Sequence, residues 1–325
     1  GNGSSWANAY PDLQDALSAA TGTDQIWIAA GSYTPSRQLE PYDHRTATFY
    51  ITGDQDGLQI YGGFAGTETT LAERDLGAGH ETILSGKFPQ YVNSYVYHVL
   101  IFDGGDRLGP DVTANVTTAT VLDGVTVTGG RAVVDDPLRG SGGGLYCDGG
   151  GSDNECSPEI KNVTFTGNAA NYGGAIYNEG VNGGQSSPRL INVIFIGNTA
   201  VHGGAIYNYG REGGTSSPQI TNAIFAGNHA ESFGGAIMNE GANAGTSSPR
   251  ITNATFTGNT AIISFAANGG VIYNNAADLG TSSPQITNTI LWGNNAGEEV
   301  VNYSTAPQYS HTLVQGLNPV GPGNL

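Results

Sequence analysis

The sequence predicts an all-β chain wound as a right-handed parallel β-helix, a solenoid with coils of about 30 residues and a short capping helix at its N-terminal end. Three observations carry that prediction. Ser-Pro recurs at 157–158, 187–188, 217–218, 248–249 and 283–284, in steps of 30, 30, 31 and 35 residues. The units that follow (PEIKNVTFTGN, PRLINVIFIGN, PQITNAIFAGN, PRITNATFTGN, PQITNTILWGN) alternate apolar with small or polar residues between Gly, Asn, Ser and Pro, and none holds enough 3.6-period pattern for a helix. A hexamer then repeats: GGAIYN at 173–178 and 203–208, GGAIMN at 234–239 and GGVIYN at 269–274. Like strands one unit apart cannot pair as hairpins, but they stack in parallel, ~4.8 Å apart, if each unit is one turn of a coil.

The columns of this stack explain the residue types. Ile160, Leu190, Ile220, Ile251 and Ile286 form one aliphatic column, Phe165, Phe195, Phe225, Phe256 and Leu291 a second, and Leu145, Ile176, Ile206, Ile237 and Ile272 a third, so all three point inward. Each such side chain contributes roughly 1.5–3 kcal/mol on burial. Two asparagine series read as corner ladders: Asn162, Asn192, Asn222, Asn253 and Asn288, and Asn168, Asn198, Asn228, Asn259 and Asn294. Asparagine tolerates left-handed backbone, and its amide can bond the amide stacked above it.

The chain reads as one β-helix domain over 1–325, with irregular coils over 1–123, regular coils over 124–296 and a tail over 297–325. A cap helix is expected at 11–20, where apolar residues 13, 16, 17 and 20 have helical spacing and would shield the open end of the stack. Strands are expected at 25–29, 47–51, 58–61, 82–84, 95–102 and 118–122, with long loops at 34–45 and 65–79. The closing GPGNL offers no cap, so a further segment or a neighbouring subunit is expected over the last coil.

The paired motifs Gly173-Gly174-Ala175-Ile176 and Phe165-Thr166-Gly167-Asn168, repeated in the next two units, resemble the repeats of the chlamydial polymorphic outer membrane proteins, which are surface adhesins exported as autotransporters. The opening GNGSSWANAYPDLQDALSAATGTDQIWIAAGSYTP resembles the start of bacterial secreted right-handed β-helix proteins of the pectate-lyase-like kind. The resemblance implies the fold and an exported location. It does not imply an activity, because lyases, hydrolases and adhesins share this fold. The last unit departs from the pattern with Leu291 and Gly270-Val271, and no barrel-forming segment follows, so the autotransporter route is not expected.

Composition fits a secreted, extracellular or cell-surface solenoid: 51 glycines, only two lysines (Lys87 and Lys161) and a formal net charge of −17. That charge argues against nucleic acid or anionic membranes as partners, and no apolar run is long enough for membrane insertion. Cys147 and Cys156 stand at the feet of one joint, CDGGGSDNEC. A disulfide closing that loop is the favoured reading for an exported protein, with a reactive or metal-binding thiol as the alternative.

Three columns could carry chemistry. Asp148, Glu179 and Glu240, with Tyr209 and Asn275 in the same column, could supply an acid and base for glycoside cleavage or share a calcium ion; no cofactor is required, and the alternative is a row of solvated turn residues. Tyr146, Tyr177, Tyr207 and Tyr273, interrupted by Met238, should face outward if the isoleucines face inward, forming an aromatic stripe suited to sugar rings; the alternative is packing beneath the joints. Tyr172, His202, Phe233 and Asn268 precede the Gly-Gly pairs, and a single histidine there needs no role.

From Ser157 onward the repeat units offer only Lys161, Arg189, Arg211 and Arg250 as cations, and Glu159 beside Arg189 reads as a surface ion pair. An active site would better fit the irregular front third, where His44, Arg45, His80, Lys87, Tyr91, Tyr95 and His98 gather in sequence. The leading expectation is a non-catalytic exported β-helix with an adhesive or structural role. Its partner would be an extracellular glycan, a surface protein or further copies of itself. The alternative is an extracellular polysaccharide lyase or glycoside hydrolase.

Overall fold

A computed structural model describes residues 1–77, 79–89, 91, 93–105, 114–262, 269–316 and 321–324. The chain is a parallel β-helix built from three sheets. The first, of sixteen strands, receives two strands from most coils, for example Glu159–Lys161 and Thr164–Thr166. The second has eight strands, from Phe49–Thr52 through Ile176–Glu179 to Val300–Tyr303, and the third has five, from Arg131–Ala132 to Thr260–Ala261. Register holds through the second sheet, where Phe49, Leu100, Leu145, Ile176, Ile206, Ile237, Ile272 and Val300 stack in one column.

The inward columns make one continuous core, with Ile160, Leu190, Ile220, Ile251 and Ile286 fully buried. Phe165, Phe195, Phe225 and Phe256 stack with nearly parallel ring planes and centroids 5.4, 4.7 and 4.4 Å apart. The Gly-Gly of each hexamer has two separate causes. The first glycine of the first three hexamers, Gly173, Gly203 and Gly234, takes a positive φ of 62–68°, which favours glycine, whereas in the fourth hexamer the second glycine, Gly270, does so at 60°. Gly174 meets the next coil so closely that a Cβ would lie 2.4 Å from the Gly204 carbonyl oxygen.

The asparagine columns differ from one another. Asn162, Asn192, Asn222, Asn253 and Asn288 all have φ between 50° and 56° and are half-buried or exposed. In the Asn168 series the preceding glycine supplies the positive φ instead, as at Gly167 (62°) and Gly197 (61°), while the amides turn inward. Asn198, for example, donates from its backbone N and its Nδ2 to Asn228 Oδ1 (3.1 and 3.0 Å) and from Nδ2 to the Phe165 carbonyl (3.0 Å). A third ladder, fully buried from Asn178 to Asn274, runs Asn178, Asn208, Asn239, Asn274 and the exposed Asn302, each amide 2.8 Å from the next. Two ladders end on carboxylates: Asn162 Nδ2 donates to Asp123 Oδ1 (2.8 Å) and Asn294 Nδ2 to Glu299 Oε2 (2.7 Å). The doubled serine before Pro188, Pro218, Pro249 and Pro284 is also a ladder; the Ser217 and Ser248 backbone N–H groups donate to the Ser187 and Ser217 hydroxyls at 3.0 and 2.8 Å.

In the front third the elements form with bounds shifted from those expected. The cap helix α1 is shorter than expected, Leu13–Ala19, starting at Asp12, whose side chain accepts from Gln14 N, and burying Leu13 and Leu17. Strands form at Gln25–Ala29, Phe49–Thr52, Gln59–Phe64, Thr82–Ser85, Leu100–Asp103 and Val121–Asp123. Gly31–Tyr33 adds a strand that glycine and serine hid from the pattern. Residues 95–99 are not strand; Val96 and Tyr97 spend their N–H groups on the Gly86 and Arg45 carbonyls. At the other end Gly321–Asn324 returns to the last coil. His311 N donates to Pro322 O (2.8 Å) and Thr312 N to Asn324 Oδ1 (2.9 Å), so part of that coil is covered by the chain itself.

Candidate functional site

Alternation along the second sheet turns Ile176 and Asn178 inward, and Tyr177 and Glu179 to the outer side. The outer side is nevertheless covered. Tyr146 is fully buried, Tyr177 and Tyr207 are 6% exposed, and Tyr273 is half-buried, so the tyrosines are not an open sugar-binding stripe. Their rings also stack on each other, Tyr146 on Tyr177 at 5.4 Å and Tyr177 on Tyr207 at 5.6 Å, so each ring covers its neighbour's π face. The cover comes from side chains that sequence alternation cannot place. Tyr172 packs edge-on against Tyr207 (5.5 Å), Phe233 against Tyr273 (4.5 Å) and His98 against Tyr146 (5.6 Å).

The acidic column is buried too, with Asp148 and Glu179 at 0% exposure and Glu240 at 9%, so it is not a row of solvated turn residues. A diagonal rule joins it to the tyrosines. Tyr50 donates to Asp103, Tyr146 to Glu179, and Tyr207 to Glu240 (3.0 Å), always one coil on. Where the next coil carries Tyr209 in place of an acid, Tyr177 packs against its ring at 5.9 Å. The spacing was readable in the sequence as Tyr to Glu at 33 residues, but its meaning required the register. Glu240 also accepts from Asn275 Nδ2 (3.1 Å) and lies 3.8 Å from Arg211 Nε. Burial raises the Glu240 carboxyl above the usual range, against the opposing effects of Tyr207, Arg211 and Asn275, and burial pushes the Tyr207 hydroxyl well above its own.

Tyr172, His202 and Phe233 stack with centroids 5.6 and 5.5 Å apart; Asn268, the fourth member of that column, lies outside the described residues. Burial lowers the His202 pKa, and its Nδ1 has no hydrogen-bond partner. Cys147 and Cys156 form a disulfide with Cα atoms 5.7 Å apart. Cys147 occupies the inward column of the third asparagine ladder, between Phe102 and Asn178.

The cations of the repeat units are mostly engaged with carboxylates. Lys161 and Arg189 lie 3.3 and 3.2 Å from Glu159, Lys161 reaches Asp123 at 3.8 Å, and Arg74 holds Asp123 at 2.6 Å. Among the described residues Arg250 has no ion-pair partner, and no three His, Cys, Asp or Glu side chains are placed to hold a metal ion.

The front-third candidates divide into separate groups. His80 lies 3.5 Å from Asp75. Arg45 ties loops together, donating from Nε to the Tyr95 carbonyl (3.0 Å) and from Nη2 to the Arg131 carbonyl (2.7 Å), with its guanidinium 4.1 Å from the Tyr97 centroid. Lys87 pairs with Tyr95 through a backbone bridge. His98 is buried against the Gly142 carbonyl (3.1 Å), and burial drives its pKa down to about 4. The side chains of His44 and Tyr91 converge, at 5.1 Å, beside a concavity of about 310 Å³.

In comparison with known proteins, the Chlamydia polymorphic membrane protein repeat fits residues 162–179 and 192–209. Each matched stretch runs from a left-handed asparagine through the phenylalanine and glycine corner to the residue after the hexamer, Glu179 or Tyr209, and so covers more than half of one coil. No curated protein and no solved structure matches the chain.

Proposed function

We propose that the chain is an exported, non-catalytic β-helix of a cell surface or extracellular matrix, with an adhesive or structural role. The observation that carries this reading is the match of two successive coils to a repeat named for membrane proteins of Chlamydia. The use of the most regular carboxylates supports it: Glu179 and Glu240 accept from tyrosines under cover, an arrangement that holds coils together. The net charge of −17 favours a partner other than nucleic acid. No helix among the described residues is long and apolar enough to cross a membrane.

The partner is an extracellular glycan or a surface protein, and self-association through the coil ends would multiply weak contacts. Beads coated with the full chain should adhere to host cells or glycan-coated surfaces, with soluble chain competing. Coated beads that adhere no more than albumin-coated beads, across cell types and glycans, would sink the adhesive reading.

A further inference from the structure

A concavity that combines aromatic walls with hydrogen-bonding rims lies on the irregular front coils, between the segment 34–47 and the residues Phe88, Pro89 and Tyr91. Phe88, 5% exposed, forms its floor, while Tyr91 is half exposed at its rim. His44 stands between them, 5.3 Å from Phe88 at 66° and 5.1 Å from Tyr91 at 39°. The three rings therefore meet at angles, unlike the stacked tyrosines of the second sheet, whose faces cover one another, and Tyr91 keeps about half of its surface open beside the concavity. His44 is fixed by a 2.8 Å hydrogen bond between its Nε2 and Ser94 Oγ, and Phe88 N donates to the Ser94 carbonyl at 3.1 Å. The opposite rim brings Thr34, Ser36 and Gln38, whose side chains make no hydrogen bond within the chain among the described residues.

We propose that this concavity binds one neutral hexopyranose unit of a glycan. A pyranose presents an apolar C–H face and a rim of hydroxyls, which matches a ring wall opposite an amide and two hydroxyls. No carboxylate, guanidinium or ammonium group lines the site, so it offers an acidic sugar no counter-charge on a chain of net charge −17. Its volume is near the lower end of small-molecule sites, which suits a single residue of a longer chain. The proposal rests on the adhesive reading above and names the ligand class for it.

Saturation-transfer NMR on the intact chain tests this directly. The probes are the methyl glycosides of glucose, galactose, mannose and N-acetylglucosamine, with methyl glucuronide as the anionic comparison. At least one neutral glycoside should receive saturation on its C–H face protons. Tyr91→Ala should weaken that binding about tenfold or more, and Gln38→Ala at the exposed rim, which carries no packing, should weaken it severalfold. Circular dichroism of both variants should match the parent chain. No transfer to any neutral glycoside overturns the proposal, as does binding unchanged in Gln38→Ala and a folded Tyr91→Ala, or tighter binding of the glucuronide. A chain that adheres to surfaces but fails here loses only this site; one that binds the sugar but does not adhere loses only the adhesive role.

Discussion

Two asparagine ladders of like sequence should respond very differently to the same substitution. Asn228 accepts from the Asn198 backbone N (3.1 Å) and Nδ2 (3.0 Å), and donates to the Phe195 carbonyl (3.0 Å) and to Asn259 Oδ1 (2.9 Å), all inside the coil. Asn228→Ala removes the partner of a buried backbone N–H and of a buried carbonyl, at ~1–3 kcal/mol for each group left without one, or about 4 kcal/mol together. Asn222 bonds only its ladder neighbours, Asn192 Oδ1 (3.1 Å) and Asn253 Nδ2 (3.0 Å), where water can replace it. Asn222→Ala then costs mainly the left-handed backbone at φ 56°, about 1–2 kcal/mol for a residue with a Cβ. Asn222→Gly removes that strain and should lie near the parent chain. Urea unfolding followed by circular dichroism measures all three, and hydrogen exchange at 195–198 should report the local opening that a solenoid permits. The reasoning fails if Asn222→Ala costs as much as Asn228→Ala, or if glycine at 222 is no better than alanine.

Tyr207→Phe should lose about 1.5–3 kcal/mol, the range for a hydrogen bond to a charged group, and a double-mutant cycle with Glu240→Gln should show coupling between the two. Burial raises the carboxyls of Glu240 and Glu299 above the ordinary glutamate value of 4.5. The stability they contribute is therefore complete below 4.5 and declines as pH rises through their folded values, and Glu240→Gln should flatten that decline in thermal melts. His98 has the opposite sign. With its pKa lowered from 6.5 to about 4, its contribution is complete above 6.5 and is lost as pH falls toward 4, so His98→Gln should flatten the acid limb. Replacing Cys147 and Cys156 together by serine releases a loop with a sequence separation of 9, which should cost about 2.5 kcal/mol on chain entropy and raise hydrogen exchange at Leu145–Asp148 first.

The regular coils were legible because period and pleat act locally. A column such as Ile160, Leu190, Ile220 is visible as soon as the Ser-Pro steps are counted, and its burial follows from alternation alone. What lay outside the coil was not legible. Alternation assigns Tyr146 and Tyr207 to the outer side, but their cover comes from His98 and Tyr172, which sit on other segments. The glycine before Asn168 displaced the left-handed position by one residue and turned that asparagine inward, a difference from Asn162 that composition does not reveal. In the front third, His44 and Tyr91 meet where Tyr91 N donates back to the Phe88 carbonyl (3.4 Å), a contact that no periodicity marks, while His80 lies beside Asp75 and His98 beside the Gly142 carbonyl.

The central claim is binding without turnover at an exported surface. Its most direct test is a flow cell carrying the immobilised full chain, challenged with a panel of extracellular polysaccharides while bound mass and released unsaturated or reducing ends are recorded together, with and without calcium. The account predicts saturable retention of at least one polymer and an effluent with no more new ends than a blank cell gives. Steady release of cut products, scaling with immobilised chain, would contradict it.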